Sequence, residues 1–306
     1  MSQRIALAAL LALSAPFVLA DTPKPAHAPP VPLLWKVSDQ DNSVYLLGSF
    51  HLLRPDDYPL SADVEAAFDD AESLMFEIPP GDMDSPAVTR MMMQAALRRD
   101  GTTLESDVDA ATWSQLQAWT TKNGVPLASL ASFKPWFASL TISITEMMAQ
   151  GLDPKLGLDA HFMQKAQAAG KPTAGLEQVA DQVNLLSGMD EVEQRQLLKE
   201  ALKEAAKGSA QTEKLHRAWR NGDVRLLSGE MATELKREFP RLYQRINVDR
   251  NDAWVPQIRK RLDAPGSDDT LVIVGALHLL GEDGVVEKLR AQGYRVERVC
   301  AACTVK

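Results

Sequence analysis

Two short apolar runs, Leu33-Leu34-Trp35-Lys36-Val37 and Val44-Tyr45-Leu46-Leu47, flank the turn-rich Asp39-Gln40-Asp41-Asn42, a pattern that predicts an opening β-hairpin. Ser61 stands where it can cap a helix running to residue 71, with Asp63 and Glu65 in the first turn, where the helix dipole favours acids. Residues 73–78 read as a third strand, ended by Pro79-Pro80-Gly81. From about residue 85 to 263 apolar positions recur at spacings of three and four and β-branched runs are scarce, so this stretch reads as mainly helical. The clearest helices are 87–98, 110–121, 135–150 and 158–169. A short strand is predicted at 172–176, after which helices resume over 178–187, 191–206 and on to 262. The chain then returns to strand at 270–274, helix at 282–291 stopped by Gly293, and a last strand at 294–299. Strands at both ends with helices between predict an α/β (α+β) fold in which one mixed sheet, built from both chain ends, carries a large helical insert or cap over about 85–263. Such a sheet brings together motifs that are far apart in sequence.

The apolar pattern of the first residues has another meaning. Arg4 precedes an apolar run from residue 5 to 13, and Val18-Leu19-Ala20 offers short side chains where a signal peptidase cuts. The run is shorter than the roughly 20 residues that span a bilayer. Residues 1–20 therefore read as a signal peptide cleaved after Ala20, and the protein as periplasmic or secreted. No later segment of the sequence has the length and apolarity of a transmembrane anchor. Residues 21–32 are Pro-rich with few large apolar side chains, which predicts an extended tether leading into a single domain over 33–306.

With 45% hydrophobic and 24% charged residues the composition is that of a globular protein. The net charge of −8 argues against binding a nucleic-acid backbone. The only cysteines, Cys300 and Cys303, follow the final predicted strand. In an oxidising compartment a local disulfide suits them better than a zinc knuckle, which needs two further ligands, or a redox pair, which belongs at a helix N-terminus.

The most informative pattern is a repeat. Tyr45-Leu46-Leu47-Gly48-Ser49-Phe50-His51-Leu52-Leu53 near the start is matched by Val272-Ile273-Val274-Gly275-Ala276-Leu277-His278-Leu279-Leu280 near the end. Each is an apolar strand, a Gly, two residues and His-Leu-Leu. A Gly just past a buried strand lets the backbone turn sharply, and the His then projects into the crevice at the strand's carboxyl end. A lone His is ordinarily a packed imidazole; two in matched motifs point to a metal site. His27 lies in the tether, and His161 and His216 fall on predicted helices as surface or partly packed residues.

Carboxylates are the natural complement of such a site. Glu77 ends the third strand, and Glu177 follows Gly175-Leu176 in a similar setting. Each is read either as a site acid or as an ordinary strand-end or first-turn acid. Asp159, in Gly157-Leu158-Asp159, stands where a helix begins and is read either as a site acid or as a cap. Arg250, followed by Asn251, can fix a carboxylate or stabilise an oxyanion, or form a surface ion pair.

Taken in order, Gly48-Ser49-Phe50-His51, Phe76-Glu77, Gly157-Leu158-Asp159, Gly175-Leu176-Glu177, Arg250-Asn251 and Gly275-Ala276-Leu277-His278, with Gly281 and Gly284, resemble the TraB/GumN family over essentially the whole chain from Leu33 onward. The resemblance implies a fold related to erythromycin-esterase-like and ChaN-like proteins, an active site made by the two Gly-x-x-His motifs and the acids, and kinship with the divalent-metal-dependent Tiki proteases. Ser49 replaces the Thr usual after the first Gly and keeps the hydroxyl.

The leading expectation is an exported metal-dependent hydrolase acting on a peptide or protein. His51, Glu77 and His278 would hold a divalent ion (Mn, Co or Zn), with Glu177, Arg250 and Asn251 as catalytic residues and Asp159 as a further site acid. Glu77 and Glu177 are interchangeable as ligand and base at this level. The alternative expectation is a non-catalytic periplasmic binding protein for a peptide or saccharide. A third is metal or haem handling through the two His.

Overall fold

The predicted hairpin forms from β1 (Leu34–Ser38) and β2 (Ser43–Ser49), antiparallel, with Leu34 opposite Leu47 and Ser38 opposite Ser43. It belongs to a computed structural model that describes residues 28–81 and 85–303, so the expected signal peptide lies outside the described residues. β3 (Ser73–Phe76), β4 (Thr173–Gly175), β5 (Thr270–Gly275) and β6 (Arg295–Arg298) complete a six-stranded sheet of order β4-β3-β5-β2-β1-β6. β4, β3, β5 and β2 run parallel; β1 pairs antiparallel with β2 and β6 antiparallel with β1, so β1 alone runs against the rest of the sheet. Every residue of β2 and β5 is buried. That is why both read as unbroken apolar runs, the signature of parallel strands covered on both faces.

The helices follow in chain order. α1 (Ala62–Asp70) begins after Ser61, whose hydroxyl makes no cap bond, and carries Asp63 and Glu65 in its first turn. α2 (Pro86–Ala96), α3 (Ala110–Asn123), α4 (Leu127–Ala131), α5 (Pro135–Ala149) and α6 (Leu158–Ala169) lie close to their predicted bounds where those were drawn. α7 (Val179–Ser187), α8 (Glu191–Lys207) and α9 (Ala210–Arg220) follow β4. α10 (Val224–Leu227), α11 (Glu234–Glu238), α12 (Pro240–Tyr243) and α13 (Asp249–Leu262) replace the expected continuous run, with wider π turns at Ser228–Thr233 and Gln244–Val248. After β5 come the single turn α14 (Ala276–Leu279) and α15 (Val285–Ala291). α15 starts later than predicted because the Asp283 carbonyl is held by the Asn251 amide at 2.8 Å, which keeps residue 283 in a turn.

One core unites the sheet with Phe68 of α1, Phe162 of α6, Trp254 and Ile258 of α13 and Leu289 of α15. A second core joins Leu116 and Trp119 of α3, Ile142 of α5 and Leu198 and Leu202 of α8. The expected helical cap therefore has its own apolar centre beside the sheet. Pro30 and Pro32 are buried. The Val31 amide donates to the Arg220 carbonyl at 2.7 Å, and Arg298 Nε donates to the Pro32 carbonyl at 3.1 Å, so the end of the Pro-rich segment lies against the domain. Cys300 and Cys303 form the expected local disulfide. Among the described residues, no helix is long and apolar enough to cross a membrane.

Candidate active site

β2 and β5 are parallel neighbours, with Gly48 opposite Val274 and Ser49 opposite Gly275, so the two copies of the repeat end side by side. β3 flanks β5 on its other side, Phe76 facing Ile273, and β4 sets Gly175 opposite Phe76. One further bond, from the Glu177 amide to the Glu77 carbonyl at 2.9 Å, extends that ladder past the strand ends. His51, Glu77, Glu177 and His278 thus emerge at one carboxyl edge, where open parallel sheets hold their ligands.

His51 is half-exposed and its Nδ1 lies 2.7 Å from Asp159 Oδ2. The Ser49 hydroxyl donates to the same oxygen. A carboxylate only accepts, so the proton sits on Nδ1 and Nε2 faces Glu77 Oε1 at 3.9 Å. The Asp159 charge, opposed by burial and aided by Glu77, raises the imidazole's affinity for a proton above its ordinary value. Asp159 reaches it because the Leu158 amide bonds the Phe50 carbonyl at 3.2 Å, which brings the first turn of α6 against the His51 loop. Gly157 permits that approach: a Cβ there would lie 2.0 Å from the His51 carbonyl oxygen.

His278 is buried, and its Nδ1 lies 2.8 Å from Asn251 Oδ1. Because the Asn251 amide nitrogen is committed to the Asp283 carbonyl, the oxygen must face His278, and Nδ1 carries the proton. Nε2 then accepts from Arg250 Nη1 at 2.9 Å. Burial pushes this imidazole down to about 3, so it is neutral. The Trp254 ring packs against it at 4.5 Å and lies 4.6 Å below the Arg250 guanidinium.

Arg250 is the hub. Its Nε donates to both Glu177 oxygens at 3.1 and 3.2 Å, its Nη2 to Glu177 Oε1 at 2.6 Å and to Glu77 Oε2 at 2.5 Å, and its Nη1 to His278 and to the Ile246 carbonyl at 3.2 Å. All five of its N–H donors have acceptors. Burial would raise the Glu77 carboxyl, yet the facing His278, Arg250 and His51, together with the Gly275 amide at 2.8 Å, hold it well below the usual range. The sequence left Glu77 and Glu177 interchangeable. In the structure Glu77 Oε1 lies 3.8 Å from His278 Nε2 and 3.9 Å from His51 Nε2, whereas Glu177 turns to Arg250 and to Gln182 Nε2 at 2.8 Å.

These donors match a divalent ion only in part. Both imidazoles have Nδ1 pinned by an acceptor with Nε2 directed at one Glu77 oxygen, the arrangement that prepares a His to ligate metal. Glu77 and Glu177 pair with the one guanidinium and Asp159 with His51, so three carboxylates stand against Arg250 and one imidazolium and leave excess negative charge. Against this, His278 Nε2 is occupied by Arg250, and among the described residues no three His, Cys, Asp or Glu side chains are already gathered around a common point. His51 and Glu77 would supply two ligands to an ion once His51 gives up its Nε2 proton, and His278 a third only if Arg250 Nη1 lets go.

Sequence reading missed two supports. Gln182, on α7, bridges Glu177 and Glu77, the latter at 3.2 Å. His216, expected to be a surface or partly packed residue, is fully buried, and its Nε2 bonds Asp57 Oδ2 at 2.8 Å. Asp57 is itself wholly buried and also takes the Arg54 amide at 2.7 Å and the Arg220 guanidinium. On the same helix Trp219 Nε1 donates to the Gly48 carbonyl at 3.0 Å, and Phe50 packs edge-on to the His216 ring. The signal available was the pairing of His216 and Trp219 on one face of an otherwise polar helix.

The fold and the crevice define an α/β protein whose polar site is assembled by repeated strand-Gly-x-x-His units. The chain matches the TraB/PrgY/gumN family over residues 33–298 and belongs to it. It is similar to the uncharacterized protein YbaP of Escherichia coli (strain K12), 25% identical over 247 residues that cover 80% of this chain and 87% of the relative. YbaP of Shigella flexneri is similar to the same extent. No solved structure matches the chain.

Proposed function

We propose that this protein is an exported metal-dependent hydrolase that cleaves peptides. The observation that supports the reading is that His51 Nε2 and His278 Nε2 stand 3.9 and 3.8 Å from the same Glu77 oxygen, each imidazole held through Nδ1 by a residue from a different element. Bound at His51 and Glu77, a divalent ion would polarise the scissile carbonyl and acidify a water. Asp159 keeps a proton on His51 Nδ1, so the nitrogen exposed when the ring gives up its second proton is Nε2, and Asn251 holds the Nδ1 hydrogen of His278 so that its Nε2 is the acceptor. Glu177 and Gln182 hold Arg250 in place. With His278 as a further ligand, the Arg250 Nη1 hydrogen it accepts here would be free for a carbonyl oxygen on which negative charge develops. Export is supported by the leader-like residues 1–20 and by the Cys300–Cys303 disulfide, a bond that persists in oxidising compartments.

A second reading, metal-free capture of a peptide or saccharide, is favoured by the saturation of Arg250, since the cluster is hydrogen-bonded as it stands. Metal content separates the two. The chain from Asp21 onward, purified without chelator, is expected to hold close to one equivalent of Mn, Co or Zn and to lose it in a His51→Ala, His278→Ala double variant. If neither protein retains metal, and added Mn, Co or Zn leaves the wild-type Tm unchanged, the hydrolase reading fails.

A further inference from the structure

Phe50 and Leu277 each stand one residue before a motif His, and neither enters the polar site. Both are partly exposed, and each lines a cavity. Leu277 lies in a groove of about 720 Å³ walled by α8, α9 and the helical run from Glu230 to Phe239. Phe50 lies in a smaller cavity of about 190 Å³ between α5, α8 and α9. Glu204, Gln211 and Leu215 line both, so the two spaces adjoin. The repeat thus sends its His to the crevice and the residue before it to the groove.

The groove's chemistry narrows its occupant. Leu215, Met231, Leu235 and Phe239 join Leu277 in giving it apolar surface. The basic side chains around it are paired with acids: Lys203 with Glu200 at 2.8 Å, Lys207 with Glu204 at 2.5 Å, Lys214 with Glu230 at 2.9 Å and Arg237 with Glu238 at 2.8 Å. Glu234, 3.7 Å from Arg237, completes a rim of five acids against four bases, which has little to attract an anionic ligand, and the larger cavity falls in the range of roughly 300–1,000 Å³ typical of ligand sites.

We propose that this groove binds the apolar side chains of a polypeptide whose backbone continues into the crevice between His51 and His278. The proposal rests on the peptidase reading for the class of substrate and on the groove for its side-chain preference. Fluorescence anisotropy of two labelled dodecapeptides tests it, one alternating Leu or Phe with Ser and the other alternating Asp with Ser. The apolar peptide is expected to bind the wild-type chain at least tenfold more tightly than the acidic one. Ala210→Trp, which fills the groove from an exposed wall position, is expected to weaken that binding at least tenfold with Tm and metal content unchanged. Met231→Asp provides a second, chemically different block. Equal affinity for the two peptides, or wild-type affinity in both variants, overturns the proposal. Apolar peptide that binds through the groove and is never cut overturns the peptidase reading and leaves the groove. Apolar peptide cut by wild type and Ala210→Trp with the same KM does the reverse.

Discussion

Asp57 sits at no exposure with three donors around it, and that setting decides what its replacement does. Asp57→Asn leaves the Arg220 guanidinium and His216 without their anion, and removing one member of a buried ion pair costs about 3–5 kcal/mol. Urea unfolding at pH 7 is expected to show a loss of that order. Burial alone would raise the Asp57 carboxyl, but the bonds from His216, the Arg54 amide and Arg220 hold it below its ordinary 3.8. A depressed carboxyl stabilises fully above its unfolded value and loses that contribution as pH falls through the folded one. The wild-type and Asp57→Asn midpoints should therefore approach each other only below about pH 4. Gly157→Ala drives a methyl group into the His51 carbonyl and is expected to cost about 1–3 kcal/mol and to lower Tm. Gly275→Ala meets His51 Nε2 at 2.9 Å and Glu77 Oε1 at 3.3 Å, so its expected effect is weaker metal binding at near wild-type Tm, read by titration with Mn or Zn. The sequence singled out both glycines by their motifs; what each clears space for lies more than 100 positions away.

At the scale of elements, the π turn at Gln244–Val248 ends one residue, Asp249, before Arg250 and Asn251. Such a turn carries one residue more than an α turn, and each residue advances a helix by about 100°. Deleting Val248 is expected to restore α geometry and rotate Arg250 away from Glu177 and Asn251 away from His278. Far-UV circular dichroism should stay near wild type while metal uptake falls by at least tenfold. Apolar spacing located the helical region but not this turn, because one inserted residue shifts the period without removing it. The strands β2 and β5 were the most legible elements, since burial on both faces writes an unbroken apolar run into the sequence. α14 was not foreseen, being a single turn whose residues follow the strand pattern into the motif.

For the whole molecule, the order β4-β3-β5-β2-β1-β6 makes the penultimate strand in sequence a central one in the sheet. β5 pairs with β3 and β2, which have no ladder with each other, so a chain ending at Asp269 leaves the sheet in two parts. Calorimetry of that truncated chain is expected to show no cooperative transition. Parallel pairing across so long a separation carries a high loop-closure cost, which only the completed core repays. By itself the sequence determined the hairpin, the helical middle and the matched strand-Gly-x-x-His units, and it singled out the acids and bases of the polar crevice but not the Gln182 amide beside them, because periodicity and motif order are local properties. Tertiary structure alone decided that Glu77 faces both imidazoles while Glu177 holds Arg250, that Arg250 bonds His278, and that His216 is buried on Asp57. Those outcomes depend on distances between residues brought together from separate elements, and neither composition nor spacing encodes a distance across the fold.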